Sequence, residues 1–315
     1  MNRKKKPNAQ QLYAAIRKHN IESLRKLLGE GADPSACVHD DYHGDIPIIL
    51  CAAGILFTEG VVSLLKAGAN PNAAMTGGQG ARGGATALHN AISGGDTRPG
   101  SDTKRSTESD RQRIVDMLLK AGADLHAIDA GERIPLQCAA RSGRLEICKQ
   151  LIKAGANVRD WPKGCIPPLI GASFGVPPHS VPEGQQYEDV VRLLLKHGAP
   201  VDGEDARGVT ALMAAAQQGS RGLVGIFLEN KANVNHQAKN GSTPLHSAAE
   251  YARWAKFEDE HQLALEITKR LIDAGANPNA RNAEGELAYD IASSNRGHGQ
   301  LAAEFLRKQK PSRNA

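Results

Sequence analysis

The chain has 315 residues, with 39 lysines and arginines against 34 aspartates and glutamates, which gives a formal net charge of +5. This charge is too mild to indicate a nucleic acid partner, and aromatic residues, at 4%, are too few for a base-stacking surface. No apolar run approaches the ~18 residues of a transmembrane helix, so we expect no membrane-spanning segment.

Both ends of the chain are basic and polar. Residues 1–8 lack the apolar stretch of a signal peptide, so we expect a disordered tail, with a nuclear address as the alternative for Arg3–Lys6. Residues 308–315 are expected to form a second disordered tail. The 5 cysteines are odd in number and irregularly spaced, which favours a reducing compartment and predicts a cytoplasmic protein.

Two phrases recur between these tails. The first is an apolar pair, two further residues, and then usually Gly-Ala with Asp or Asn; it is found as LLGEGAD (27–33), LLKAGAN (64–70), LLKAGAD (118–124), LIKAGAN (151–157), LLKHGAP (194–200), FLENKAN (227–233) and LIDAGAN (271–277). The second precedes the first and is followed by small residues; it is found as Thr86–His89, Ile134–Gln137, Pro167–Ile170, Thr210–Met213 and Thr243–His246.

The phrases predict a pair of short helices in each repeat. Thr or Pro opens the first helix, by capping its free N–H groups or by presetting its first turn. The small residues that follow let this helix approach its neighbour closely. A second helix carries apolar residues at helical spacing, and a glycine such as Gly155 ends it in a left-handed conformation. Because neither helix can bury its apolar face alone, consecutive pairs must stack.

These phrases resemble the ankyrin repeat, whose period is about 33 residues and whose core reads T-P-L-H-x-A. The resemblance implies an all-α solenoid of stacked helix-turn-helix units with short β-hairpin fingers, about eight repeats including degenerate caps. The expected domain is 9–307, with units at about 9–36, 37–73, 74–127, 128–160, 161–203, 204–236, 237–280 and 281–307. Surplus residues between the two helices of a repeat are predicted around 95–109, 176–186 and 252–262, the last as a helical extension.

Several histidines could suggest chemistry. His89 and His246 occupy the fourth position of the second phrase, where the resemblance implies structural hydrogen bonds between repeats. Gln137, at the equivalent position, indicates that no common chemistry runs through the series. His39 and His43 are four residues apart, a spacing that on a helix could bind a metal ion, but a hairpin finger is expected here. We therefore predict no metal site.

Other residue groups have a functional and a structural interpretation. The glycine-rich run 77–84 lacks the lysine and hydroxyl of a phosphate-binding loop, so we expect a finger. Cys138 and Cys148 could form a redox switch, but core packing explains both. The basic residues around the first insertion are expected to lie in a solvated loop, with an acidic partner as the alternative; they are Arg98, Lys104, Arg105, Arg111 and Arg113. No catalytic residue and no cofactor are predicted.

The resemblance also implies where a partner protein would bind, namely the fingers and the exposed face of the first helices. In the fingers the candidates are Ile128, Asp129, Arg133, Trp161, Lys163, Ile166, Arg207, Lys239 and Asn240. On the first helices they are Arg141, Phe174, Gln217, Gln218 and Tyr251. Trp161 is the most informative, because tryptophan often anchors interfaces. Packing against Phe174 or a neighbouring insertion is the alternative.

The predicted function is a non-enzymatic protein–protein interaction module that is monomeric on its own and binds another protein. The insertions form a second candidate surface. An inhibitor, an immunity protein or an effector that captures a specific target is the alternative within the same class. An enzyme with a site grafted on the insertions is the opposing class, but no insertion supplies a nucleophile, a base and an orienting group together.

Overall fold

The computed structural model describes residues 6–41, 43–77, 83–94, 107–175, 184–294 and 299–309. The chain forms two compact units. Unit 1 consists of Met1–Ala139 with Glu146–Ala156, and unit 2 consists of Ala140–Leu145 with Asn157–Ala315. Most of the first two predicted insertions, with Arg98, Lys104 and Arg105, and the middle of the glycine-rich run lie outside the described residues.

Unit 1 is built from pairs of antiparallel helices. Its helices, the last two of which contribute residues to both units, are α1 (Ala9–Arg17), α2 (Ile21–Gly29), α3 (Ile48–Gly54), α4 (Thr58–Lys66), α5 (Ala87–Ser93), α6 (Glu108–Lys120), α7 (Pro135–Arg141) and α8 (Leu145–Lys153). Among the first helices α3 packs on α1 and α5, and among the second helices α4 packs on α2 and α6. Ile48, Leu50 and Leu88 are buried between them.

Unit 2 repeats this arrangement with helices of unequal length. They are α9 (Pro168–Gly175), α10 (Gln185–Lys196), α11 (Ala211–Gln217), α12 (Arg221–Glu229), α13 (Pro244–Trp254), α14 (Glu258–Asp273), α15 (Ala288–Ser293) and α16 (Gln300–Gln309). The third insertion, around 252–262, extends the two helices, as predicted: α13 runs to Trp254 and α14 begins at Glu258. The first seven predicted units each contain two helices; in the eighth, α16 runs two residues past the predicted end at 307. The unit boundaries themselves stay a prediction.

The helix starts follow from the recurring phrase. Thr210 precedes α11 with extended backbone dihedrals, and its side chain accepts a hydrogen bond from the N–H of Met213. The alanines after it, Ala214 to Ala216, are completely buried, and α11 packs against α9 and α13. Small side chains are needed here because two neighbouring helices approach the same face.

The fingers precede the first helices. One of them is a regular antiparallel hairpin, in which β1 (Cys37–Asp40) pairs with β2 (Gly44–Pro47) and Cys37 lies opposite Pro47. The later fingers are tight turns closed by one N–H···O=C bond across four residues, from Asp129 to Arg133, Asp205 to Val209, Ala238 to Ser242 and Asn282 to Glu286. Within the described ranges, regular strand pairing is therefore confined to β1 and β2. None of the helices described is long and apolar enough to cross a bilayer.

Candidate partner-binding surface

Main-chain hydrogen bonds join the last three fingers of unit 2, at 205–209, 238–242 and 282–286, to one another. The Lys239 N–H donates to the carbonyl oxygen of Arg207 at 3.0 Å, and the Ala283 N–H donates to that of Asn240 at 2.8 Å. Gly208, with φ +76°, makes this approach possible, because an added Cβ would lie 3.0 Å from the Lys239 nitrogen. The fingers are therefore held by backbone contacts whatever their side chains are.

Unit 1 has the same kind of link. The Thr76 N–H donates to Asp45 O at 3.3 Å, and the Ala130 N–H donates to Gly83 O at 2.8 Å. A Cβ on Gly84 would meet the carbonyl oxygen of Ile128 at 2.5 Å, so this finger also packs closely on the next. Each unit presents its finger side chains from a connected main chain.

In each of two fingers, an aspartate carboxylate accepts hydrogen bonds from N–H groups of the same finger. Asp129 accepts hydrogen bonds from the N–H groups of Gly131 and Arg133 and from the Arg133 guanidinium, at 2.6 Å for Nη2. Burial by itself raises the pKa of the Asp129 carboxyl, but the bonds from Arg133 and Gly131 outweigh burial and lower that pKa. Asp205 binds the Arg207 and Val209 N–H groups in the same way. Arg133 is thereby held within its own finger.

The predicted partner-binding residues differ in exposure. The exposed ones are Ile128, Arg141, Lys163, Arg207, Gln217, Lys239 and Asn240. The half-buried ones are Arg133, Trp161, Ile166, Phe174, Gln218 and Tyr251, whereas Asp129 is buried. Arg207 keeps most of its side chain in solvent although its guanidinium contacts Asp205 at 2.9 Å. Charged and amide groups thus dominate the exposed set.

Trp161 lies against the following finger. A Cβ added to Gly203 would come within 2.7 Å of its ring, so the indole covers this glycine. The side chain is half-buried as a result. Trp161 supports the neighbouring finger, and only part of its ring is available to a partner.

Tyr251 lies near the loop between α11 and α12. A Cβ on Gly219 would be 2.3 Å from its ring, so the ring rests on this loop. Burial raises the pKa of the Tyr251 phenol to about 12, with further contributions from Glu260 and Asp259. Tyr251 therefore lies with a helix-connecting loop and the start of α14 rather than with the fingers.

The two buried histidines connect consecutive repeats. His89 Nδ1 accepts from the Thr86 N–H at 3.3 Å, and its Nε2 lies 3.0 Å from Arg133 O. His246 does the same with Thr243 and, at 3.1 Å, with Glu286 O. Burial lowers the pKa of both imidazoles, which keeps them neutral. The prediction of structural hydrogen bonds is confirmed.

Comparison with known proteins agrees with this geometry. A family model described as ankyrin repeats (3 copies) matches residues 181–282, and one described as ankyrin repeats (many copies) matches residues 105–152. Residues 105–152 and 181–282 are ankyrin repeats, and the fold is that of an ankyrin repeat domain. The solved human ASB11 ankyrin repeat domain aligns with a TM-score of 0.62 at 23% identity, over 84% of this chain and 99% of that one. This likeness concerns the fold.

Curated relatives are much longer than the part that aligns with this chain. Human transient receptor potential cation channel subfamily A member 1 is 28% identical over 65% of this chain and 17% of its own length. Human NF-kappa-B inhibitor zeta is 28% identical over 55% of this chain and 27% of its length. Human Rabankyrin-5 is 28% identical over 70% of this chain and 18% of its own length. The ankyrin chain therefore spans about a quarter or less of these relatives.

The ankyrin stacking also brings together three potential metal ligands that the sequence analysis missed. Donor atoms of His89, Asp129 and Cys138 lie within 4.8 Å of one another, all buried. Asp129 is already neutralised by the Arg133 guanidinium, and His89 Nε2 faces a carbonyl oxygen. A cation would have to displace both contacts, so the set is a hydrogen-bonded network of the repeat. No sequence motif links residues this far apart.

Other groups singled out in the sequence have structural roles in the ankyrin units. His39 lies 2.8 Å from Asp45 and His43 lies 2.7 Å from Asp40, so each imidazole has its own carboxylate. The hydrogen bond that the His39 imidazole donates to Asp45 raises the pKa of His39. Burial raises the pKa of Cys148 to about 12, which disfavours the thiolate that a redox switch needs.

The sequence pattern predicts a solvated loop for Arg111, and this prediction is wrong. Arg111 is only 7% exposed, and its guanidinium donates to the carbonyl oxygens of Ala91 and, at 3.1 Å, of Ile92. It thus caps the end of α5 from the second helix of the same repeat. Arg113, two residues later, is exposed.

Proposed function

We propose that the protein is a non-enzymatic module that binds a partner protein across the fingers of unit 2. Ankyrin repeats are protein–protein interaction modules, and the hydrogen bonds between the fingers are the observation that supports this surface. Because the main chain is already ordered, binding costs less conformational entropy than it would on loose loops. The partner is expected to contact several fingers at once, since a typical interface buries about 800 Å² on each side.

The exposed finger side chains favour a partner with an acidic face. Lys163 and Lys239 are exposed cations that form no ion pair among the described residues, whereas Arg207 is exposed but paired with Asp205; Asn240 adds an amide beside Lys239. Rim charges of this kind mainly accelerate association and select the partner, so binding is expected to weaken as the salt concentration rises. Trp161 and Ile166 contribute the apolar part of the surface. Both side chains are half-buried, and their exposed parts face the solvent.

The test is a charge reversal on the fingers with a matched control. The partner is captured with the wild-type chain, purified, and titrated against the double variant Arg207→Glu/Lys239→Glu. The control is Lys196→Glu/Lys308→Glu, which changes the net charge equally at exposed positions on α10 and α16. We expect at least a tenfold loss of affinity for the finger variant and none for the control. Full affinity of the finger variant would eliminate this surface.

Inhibition by capture is the second candidate, supported by the likeness to NF-kappa-B inhibitor zeta over 55% of the chain. In that case the partner's own activity falls as the chain is added and reaches its minimum at one chain per partner. A partner that binds but keeps its activity would exclude this version. The proposal includes a cytoplasmic location, because all five cysteines are free thiols. It also includes a monomeric state before binding, and sedimentation equilibrium measures that state.

A further inference from the structure

A groove with a volume of about 1270 Å³ runs along α12 in unit 2, between α10 and α14. Its walls are high because the central helix is short: α12 has 9 residues, α10 has 12 and α14 has 16. The extra residues of α10 and α14 lie at their N-terminal ends, so the groove is deepest beside the start of α12. It involves the second helices and their connecting loops, not the fingers.

Glycines open the floor of this groove. A Cβ on Gly222 would lie 1.8 Å from a carboxylate oxygen of Glu188, and a Cβ on Gly219 would lie 2.3 Å from the Tyr251 ring. Any larger residue would push the carboxylate and the ring out of their positions. The two glycines therefore let an acidic group and an aromatic ring lie side by side at the start of α12.

The groove is polarised along its length. Towards the middle of α14, Arg221 and Arg270 both contact the carboxylate of Glu266, at 3.3 and 2.8 Å. By contrast, Glu188 near the start of α10 and Asp259 at the start of α14 form no ion pair among the described residues. Arg221 and Arg270 thus share one carboxylate and Lys269 lies over the Phe305 ring, whereas Glu188 and Asp259 have none of these cations as a partner.

Aromatic side chains lie at the same acidic end. Phe257 lines the groove and is 61% exposed, and Tyr251 lines it from the end of α13. Glu260 and Asp259 both act to raise the pKa of the Tyr251 phenol, so the ring lies in a negative potential. Phe257 therefore adds exposed apolar surface beside these carboxylates.

We propose that this groove docks a basic peptide segment of a partner, with an arginine or lysine side chain inserted between Glu188, Asp259 and the rings of Tyr251 and Phe257. A cationic head satisfies the carboxylates and lies over the aromatic faces, and its aliphatic stem covers the exposed phenylalanine. Arginine fits best because its planar guanidinium can stack on a ring and bind a carboxylate with two N–H groups. The volume exceeds that of a single side chain, which favours a peptide over a small amine.

The probe for the test is a fluorescein-labelled peptide, (Ser-Arg-Gly)₃, measured by fluorescence anisotropy with the full chain. Its control replaces each arginine with citrulline, which keeps the shape and removes the charge. We expect the arginine peptide to bind measurably at 0.15 M salt and the citrulline peptide to bind at least tenfold more weakly. Equal binding of the two peptides would overturn the proposal.

Two pairs of variants locate the site. Glu188→Gln/Asp259→Asn removes the two carboxylates, and Asp273→Asn/Glu284→Gln removes the same charge at exposed positions away from the groove. We expect the first pair to lower the affinity for the arginine peptide at least fivefold and the second pair to leave this affinity unchanged. Phe257→Ala, at an exposed position, should also lower it. An equal loss in both pairs would reduce the effect to net charge and contradict the groove.

The chain's own basic end is the competing occupant, because residues 307–315 contain Arg307, Lys308, Lys310 and Arg313. A chain ending at Gln309 is therefore measured beside the full chain. Equal affinities support a partner peptide. Binding that is seen only after truncation would assign the groove to this terminal segment, and no binding in either form would overturn the proposal. The finger variant Arg207→Glu/Lys239→Glu should still bind the probe, so this test stands apart from the finger surface.

Discussion

The side-chain amide nitrogen of Asn235 donates a hydrogen bond to the carbonyl oxygen of Gly275, 2.9 Å away in the next repeat. Its oxygen accepts from the Asn277 N–H at 2.7 Å, so a single amide holds two points of the neighbouring turn. Asn72 makes the same bridge in unit 1, with Gly122 O at 2.9 Å. The recurrence indicates a polar latch between consecutive ankyrin repeats, placed beside the apolar stack.

Replacing Asn235 with alanine is expected to lower the free energy of unfolding by about 1 kcal/mol, because two exposed hydrogen bonds are lost to water. The midpoint of urea unfolding, followed by circular dichroism, measures the change. Asn279→Ala is the control, since Asn279 has the same place in the following repeat and its side chain forms no hydrogen bond within the described residues. A similar loss in both variants would argue against the latch.

The buried histidines predict a pH dependence of stability. Because burial lowers the pKa of His89 and His246, the unfolded chain takes up protons near pH 6.5 that the folded chain does not bind. Stability therefore falls as the pH drops below about 6.5, by up to about 2 kcal/mol per histidine at pH 5. Unfolding midpoints at pH 7 and pH 5 measure the difference.

The double variant His89→Gln/His246→Gln tests the assignment. Glutamine stands naturally at the equivalent position 137 and does not titrate, so the variant should lose part of the decrease between pH 7 and pH 5. His197→Gln, at an exposed position after α10, should keep the full decrease. An unchanged pH dependence in the double variant would contradict the role of these imidazoles.

Arg111→Ala is expected to destabilise unit 1 by about 2–3 kcal/mol, because it leaves carbonyl groups at the end of α5 without their charged donor. Arg113→Ala removes the same charge from an exposed position on α6 and should change stability by less than about 0.5 kcal/mol. Thermal unfolding of the two variants decides the matter. Equal effects would show that charge, not the cap, is responsible.

Lys231 offers a substitution that should stabilise the protein. It has φ +61° after α12, where Gly198 and Gly275 end the neighbouring second helices. A non-glycine residue in this left-handed region costs about 1 kcal/mol, so Lys231→Gly is expected to raise the free energy of unfolding by about 0.5–1 kcal/mol. Lys231→Ala removes the charge but retains the strain and should show no gain. A gain with alanine as large as with glycine would refute the explanation.

Features of short sequence range were predictable. The Thr at the start of α11, the buried alanines after it and the hydrogen-bonded positions of His89 and His246 all follow from one repeated phrase. Features that join distant residues were not. Arg111 was grouped with solvated basic residues, and for Trp161 the sequence left an interface anchor and packing as alternatives, because the neighbours of Arg111 and Trp161 come from other segments of the chain.

The sequence by itself determined the repeat, since helix caps, apolar spacing and terminal glycines act within a few residues of each other. Only the tertiary structure decided which side chains remain available to a partner. The stacking of α10, α12 and α14 turned helices of unequal length into a groove, and close approach at Gly219 and Gly222 set Tyr251 and Glu188 within it. Exposure depends on what packs beside a residue, and that information is distributed over the whole repeat stack.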